Sequence, residues 1–250
     1  HLEQAGEASD FTNVEVEEHN APKGLFPFYV PSQTGSFVET YPISSTSITH
    51  PEKGGNLQIE PEVALVCSIE YKNDRVAQIT PLKFAAYNDC SIRKPGAKKI
   101  SEKKNWGINS KGISEQLIDI DHFSPGGVMD SYRIACYLLR NDHLHTYGLN
   151  SAVNEYSYFY QKLSDWIIEK MNTQEDHGPL ESISKLLKQA NYPKKAIISI
   201  GATRYTKFGG KTFLQKNDEF FIVLYNSEKY DLDKIKEFLK NKEFPKKHIS

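Results

Sequence analysis

The spacing of apolar residues changes several times along this chain, and each change marks an element. Residues 62–71, Glu62-Val63-Ala64-Leu65-Val66-Cys67-Ser68-Ile69-Glu70-Tyr71, are almost continuously apolar, the pattern of a buried strand, and Asn73-Asp74 behind them predicts a turn. Residues 75–80 and 81–88 predict the next β-rich segments, and residues 196–200 and 219–225 predict two further strong strands. Helical spacing appears three times. Tyr156, Phe159, Tyr160, Leu163, Ile167 and Met171 predict a helix over 154–171, with Asn172 just beyond. Leu180, Ile183, Leu186, Leu187 and Ala190 form the apolar face of a second helix over about 180–189. Leu232, Ile235, Phe238 and Leu239 do so for a third over 231–241. Upstream, residues 11–61 are rich in Pro, Ser, Thr and Gly and broken into short pieces such as 24–30 and 36–39, which predict short strands and fixed loops. Gly209-Gly210 predicts a hairpin turn. The sum is a β-dominated α+β fold.

Composition narrows the class of molecule. A chain of 250 residues can form one large domain that buries roughly three quarters of its unfolded surface. With 31 basic and 32 acidic residues the formal charge is -1, which argues against a nucleic-acid partner. Lysines cluster at 94–104 and 234–247, and such runs predict solvated surface. Cys67, Cys90 and Cys136 are odd in number and have no paired spacing, which predicts a reduced, cytoplasmic protein. No apolar stretch approaches the roughly 20 residues of a membrane span. The chain begins at His1 without a Met or a secretory signal, which suggests a truncated start.

The candidate chemistry lies in acids. Glu60 and Glu62, two apart on an extended segment, point to one side, and Asp89 follows in Asn88-Asp89-Cys90-Ser91-Ile92-Arg93. Three carboxylates facing one point repel and raise one another's pKa unless a cation neutralises them. An all-oxygen set suits Mg²⁺, Mn²⁺ or Ca²⁺ rather than Zn²⁺. Three monodentate carboxylates leave about half an octahedral shell for water and substrate. Pro61 cannot donate a ladder hydrogen bond, so it marks an edge or bulge where a strand opens onto a site. Other motifs are missing: no phosphate-binding Gly loop, no G-x-S-x-G, no H-x-x-x-H; His143 and His145 read as a loop pair.

The order of motifs resembles the fumarylacetoacetate hydrolase (FAH) family. The matching pieces are Ile59-Glu60-Pro61-Glu62-Val63-Ala64, Asn88-Asp89-Cys90-Ser91-Ile92-Arg93 and Trp106-Gly107-Ile108-Asn109-Ser110-Lys111-Gly112-Ile113. Gly201-Ala202-Thr203-Arg204 with Lys216-Asn217-Asp218-Glu219 closes the series, and His1-Leu2-Glu3-Gln4-Ala5-Gly6-Glu7 opens it with acids at altered spacing. The resemblance implies one catalytic domain over 1–250, an FAH-like mixed β-sandwich roll with a few peripheral helices, and a homodimer. It implies a divalent ion, Mg²⁺ before Mn²⁺ or Ca²⁺, on Glu60, Glu62 and Asp89. Lys111 would be the cation over the developing negative charge, with Lys104 the competing assignment. His1 would be the general base, oriented by Glu3 or Glu7. Arg93 would bind a substrate carboxylate or pair with a carboxylate near the metal, and Thr203 would bind substrate through its hydroxyl and backbone N–H. The implied activity is hydrolysis of a C–C bond in a small 1,3-diketo or 2-oxo acid (acylpyruvase-like). Hydratase or decarboxylase chemistry, towards which the Ile-Glu-Pro-Glu form points, and a non-catalytic binding protein are the alternatives.

Overall fold

A computed structural model of the protein describes residues 21–32, 35–93, 96–245 and 248–250. Its elements run β1 (Ile43–Ser44), β2 (Leu57–Gln58), β3 (Pro61–Lys72), β4 (Arg75–Asn88), β5 (Ser91–Ile92), β6 (Lys111–Ile113), β7 (Ile118–Asp119), β8 (Tyr132–Arg140), β9 (His143–Ala152), α1 (Tyr160–Thr173), α2 (Ile183–Gln189), β10 (Lys195–Ala202), β11 (Glu219–Asn226) and α3 (Leu232–Asn241). The architecture is β-dominated α+β, as expected.

The long hairpin β3–β4 is the frame of the molecule. Asn73 and Asp74 turn it with φ of 51° and 61°, values that Asn and Asp tolerate better than other side chains. What reads in sequence as two segments either side of Pro81 is one 14-residue strand, because a register shift between Val66 and Cys67 accommodates the proline opposite Cys67. The main sheet has the order β1-β6-β4-β3-β10, with β7 also on β4. Only β1–β6 is parallel in it; β10 lies antiparallel on β3, with Ala202 opposite Glu62 and Lys195 opposite Ser68. A second sheet, β11-β8-β9, and the short pair β2-β5 complete the β framework among the described residues.

Helices cover the sheets where the periodicity demands it. Leu163, Ile167 and Met171 of α1 and Ile183 of α2 join Leu65, Phe84, Ile198 and Ile200 in the largest core. Ile235 and Leu239 of α3 pack with Ala135, Tyr137, Val223 and Tyr225 of the second sheet. Asp231 caps α3 by accepting the Lys234 N–H at 2.8 Å.

Four expectations are corrected. Residues 24–30 form no strand, and residues 37–39 form a 3₁₀ turn. The hairpin β8–β9 was not anticipated, and it moves His143 and His145 from a loop onto β9, where their rings stack. Gly209 and Gly210 belong to a 3₁₀ turn rather than a hairpin, and a Cβ on Gly209 would lie 2.1 Å from the Tyr147 carbonyl oxygen. The lysine run 94–104 is not all surface: Lys103 and Lys104 are buried.

Candidate metal centre

The open end of the β3–β4 hairpin carries all three acids. Pro61 pairs with Asn88 and Glu62 with Tyr87, so Glu60 and Asp89 sit side by side just beyond the last rung. Two bonds lock them: the Glu60 N–H donates to Asn88 Oδ1 at 3.1 Å, and the Asp89 N–H donates to the Glu60 carbonyl at 3.0 Å. Pro61, lacking an N–H, leads β3 and accepts the Thr203 N–H on its carbonyl at 2.9 Å. The result places carboxylate oxygens of Glu60, Glu62 and Asp89 within 4.8 Å of one another, all three residues buried.

Three side-chain cations surround this cluster, unevenly. Lys104, which follows the 3₁₀ turn Ile100–Lys103, places Nζ 2.9 Å from Glu60 Oε2 and 2.5 Å from Asp89 Oδ2. Lys111, at the start of β6 and fully buried, lies 3.1 Å from Asp89 Oδ1, donates to the Cys90 carbonyl and sits 5.5 Å from the centre of the Trp106 ring. Arg93 Nη2 is 2.8 Å from Glu60 Oε1, and its Nε donates to Gln58 Oε1 at 2.7 Å. No ion pair reaches Glu62 among the described residues; its Oε2 accepts the Gly201 N–H at 3.1 Å.

Protonation follows that asymmetry. Burial pushes the Glu60 carboxyl up, but Lys104 and Arg93 together outweigh it and hold the group down at about 2. Burial and then the charge of Asp89 push Glu62 up to about 8, only partly opposed by Lys104. Burial also pulls the Lys111 ammonium below its ordinary value.

The residues fit a hard divalent ion on two observations. Glu60 Oε1 is buried without a hydrogen bond, its contact with the Arg93 guanidinium at 2.8 Å being an ion pair. The Lys104 ammonium is a stand-in cation, bridging Glu60 and Asp89 where an ion ligated by both would sit. Glu60, Glu62 and Asp89 could therefore hold an oxygen-ligated metal ion, provided Lys104 yields its place.

Glu60, Glu62, Asp89 and Lys104 line one wall of a cavity of about 1290 Å³. Among the described residues, Lys111, Arg93 and Thr203 do not line it. Lys104, the competing assignment, holds the position above the acids that was expected of Lys111, whose Nζ is tied to Asp89 and the Cys90 carbonyl. Arg93 takes the pairing alternative, with Glu60 rather than with a substrate. Thr203 departs from the expectation: it is fully buried, its N–H is used by Pro61, and its hydroxyl donates to the Leu149 carbonyl at 2.9 Å beside Ser151. His1, Glu3 and Glu7 lie outside the described residues. The sequence reading passed over Ser199, whose hydroxyl group lowers the Glu62 pKa slightly and which lines the cavity. Its place on β10 two residues before Gly201 becomes meaningful only once β10 is paired with β3.

A hexagonal crystal form of 2-keto-3-deoxyarabinonate dehydratase shares the fold, with a TM-score of 0.51 at 15% identity, covering 74% of this chain and 53% of that one. The chain thus spans about half the length of the structure it matches. Weaker likenesses are Cg1458 with inhibitor (TM-score 0.46, 17% identity, 72% of this chain and 58% of that one) and 2-keto-3-deoxy-D-arabinonate dehydratase complexed with magnesium and 2,5-dioxopentanoate (0.42, 14%, 74% and 54%). No curated protein matches the sequence. A family model does, over residues 7–250, and by that match the chain belongs to DUF5718, a family of unknown function.

Proposed function

We propose that this chain is a divalent-metal-dependent enzyme that acts on a small 2-oxo or 1,3-diketo acid and hydrolyses a C–C bond in it. The observation that carries the reading is the convergence of Glu60, Glu62 and Asp89 on the wall of a large cavity, with a cation already bridging two of them. A bound Mg²⁺ or Mn²⁺ would supply a Lewis acid for the carbonyl of such a substrate. This chain's own groups supply charge. Lys104, which bridges Glu60 and Asp89 and lines the cavity, would pair with the substrate carboxylate once an ion took its place between the acids. Glu62, raised to about 8 by burial and Asp89 while the cluster is metal-free, would be held ionised as a ligand of the ion and supply negative charge at the cavity wall. Lys111 neutralises Asp89 from behind. In the hydrolysis, water gives its hydroxyl to the acyl carbon and its proton to the carbon released as the methyl group of pyruvate.

A second reading, dehydration of a 2-keto-3-deoxy acid, is favoured by the fold shared with 2-keto-3-deoxyarabinonate dehydratase. Both reactions generate negative charge on the same carbonyl oxygen, and product analysis separates them. Purified protein with Mn²⁺ or Mg²⁺ is assayed on acetylpyruvate and on 2-keto-3-deoxyarabinonate. Pyruvate plus acetate supports hydrolysis; loss of water from the sugar acid supports the second reading. Turnover of neither, by a protein that binds the ion through these acids, refutes both and leaves a binding protein.

A further inference from the structure

The cavity is much larger than a three- to five-carbon acid requires. At about 1290 Å³ it exceeds the roughly 300–1,000 Å³ usual for small-molecule sites, and polar groups that could hold the head of an acid cluster where Glu60, Glu62, Asp89 and Lys104 meet it. Away from them most of the wall is apolar, with Leu163, Ile167 and Met171 of α1, Leu186 of α2, and Ile198 and Ile200 of β10, while Lys23, Glu155, Lys195 and Arg204 add charge at its margins. β10 gives the cavity its direction. Its residue Ala202 lies opposite Glu62 and its residue Lys195, also at the wall, lies opposite Ser68. At about 3.3 Å per residue that is a run of roughly 20 Å away from the carboxylates. Walls of this kind offer water few partners and gain by burying hydrocarbon.

We propose that the ligand of this site is an amphiphile: a 2-oxo acid whose head reaches the three carboxylates and whose linear hydrocarbon tail lies along β10 beneath α1 and α2. The inference rests on the metal-dependent reading above for its head and on the apolar cavity for its tail. Continuity between the two is what selects this occupant. Apolar side chains outnumber the charged ones along the run, which favours an alkyl chain there.

The test is calorimetric titration with pyruvate, 2-oxohexanoate, 2-oxooctanoate and 2-oxodecanoate, below micelle formation, in Mn²⁺ and in EDTA, with plain decanoate as control. In Mn²⁺ the dissociation constant is expected to tighten roughly fourfold for each methylene buried, and decanoate to bind more weakly than the oxo acid of equal length. Leu186→Gln, at a half-buried wall position, is expected to flatten the length dependence and leave pyruvate binding unchanged. Pyruvate binding that needs Mn²⁺ but does not tighten with length overturns the tail and spares the metal reading. Tightening with length that is equal in EDTA and in Mn²⁺ overturns the metal-dependent head and keeps the apolar site. The wild-type series decides between these whether or not the variant folds.

Discussion

Lys104 is where the account is most exposed to measurement. Replacing it with Met keeps the length of the side chain and removes the charge that bridges Glu60 Oε2 at 2.9 Å and Asp89 Oδ2 at 2.5 Å. At an effective dielectric of about 20, each contact is worth roughly 6 kcal/mol of bare attraction. Desolvation of the buried groups takes back much of that, and removing one partner of a buried ion pair costs a net of about 3–5 kcal/mol. Among the described residues, Arg93 and Lys111 would then be the cations left beside Glu60 and Asp89. In EDTA, Lys104→Met is therefore expected to unfold in urea with a stability loss of about 3–5 kcal/mol. With excess Mn²⁺ the deficit should shrink to about 1 kcal/mol, because an ion ligated by Glu60 and Asp89 replaces the missing charge and stabilises the folded state by mass action. Fluorescence of Trp106 and Trp166, the two tryptophans of the chain, follows the transition. A loss below about 1 kcal/mol in EDTA would refute the buried bridge. An equal loss with and without Mn²⁺ would refute the claim that the ion takes the ammonium's place.

Three further outcomes are expected. Without metal, stability should fall between pH 5 and 8, by up to about 1.4 kcal/mol per pH unit. Glu62 titrates near 8 in the fold against an ordinary 4.5, so the folded state holds a proton that the unfolded chain releases, and that advantage is complete below 4.5 and lost as pH rises through 8. Glu62→Gln should flatten the slope, and an unchanged slope would refute this assignment; Glu60, held near 2, acts only below pH 4.5 with the opposite sign. Thr203→Val should cost about 1–3 kcal/mol by leaving the Leu149 carbonyl without its donor, while ligand affinity stays the same; weakened pyruvate binding in a stable variant would restore Thr203 to the site. Gly209→Ala should lower stability by about 1–3 kcal/mol, since its Cβ would fall 2.1 Å from a backbone oxygen; unchanged unfolding would mean that the turn is not held against Tyr147.

Much of the frame was legible because local and global preferences agree. The apolar run of β3, the Asn73-Asp74 turn and the two-residue period of Glu60 and Glu62 all point to the same hairpin, which alone brings two of the acids to Asp89. The β8–β9 hairpin carries the same signature, with Asn141 and Asp142 at φ of 50° and 61°, yet its strands are mixed with Arg, His and Asn that break the alternation. The start of α1 was displaced because Tyr156 and Phe159 keep helical spacing while their rings stack in the segment before the helix. The cations were harder still. Lys104 and Lys111 are indistinguishable by type and both follow Asp89; only the 3₁₀ turn Ile100–Lys103 and the place of β6 decide which ammonium enters the cavity. Thr203 shows the converse, a motif position whose hydroxyl and N–H are both used by neighbours that pairing between distant strands supplies.

The central claim is that Glu60, Glu62 and Asp89 together bind one divalent ion, and calorimetric titration of metal-stripped protein with Mn²⁺ tests it directly. The account predicts one ion per chain, with affinity lowered at least about tenfold in each of Glu60→Gln, Glu62→Gln and Asp89→Asn, since each removes one charged oxygen ligand. A folded wild-type protein that takes up no Mn²⁺, or variants that bind it as tightly as wild type, would contradict the account.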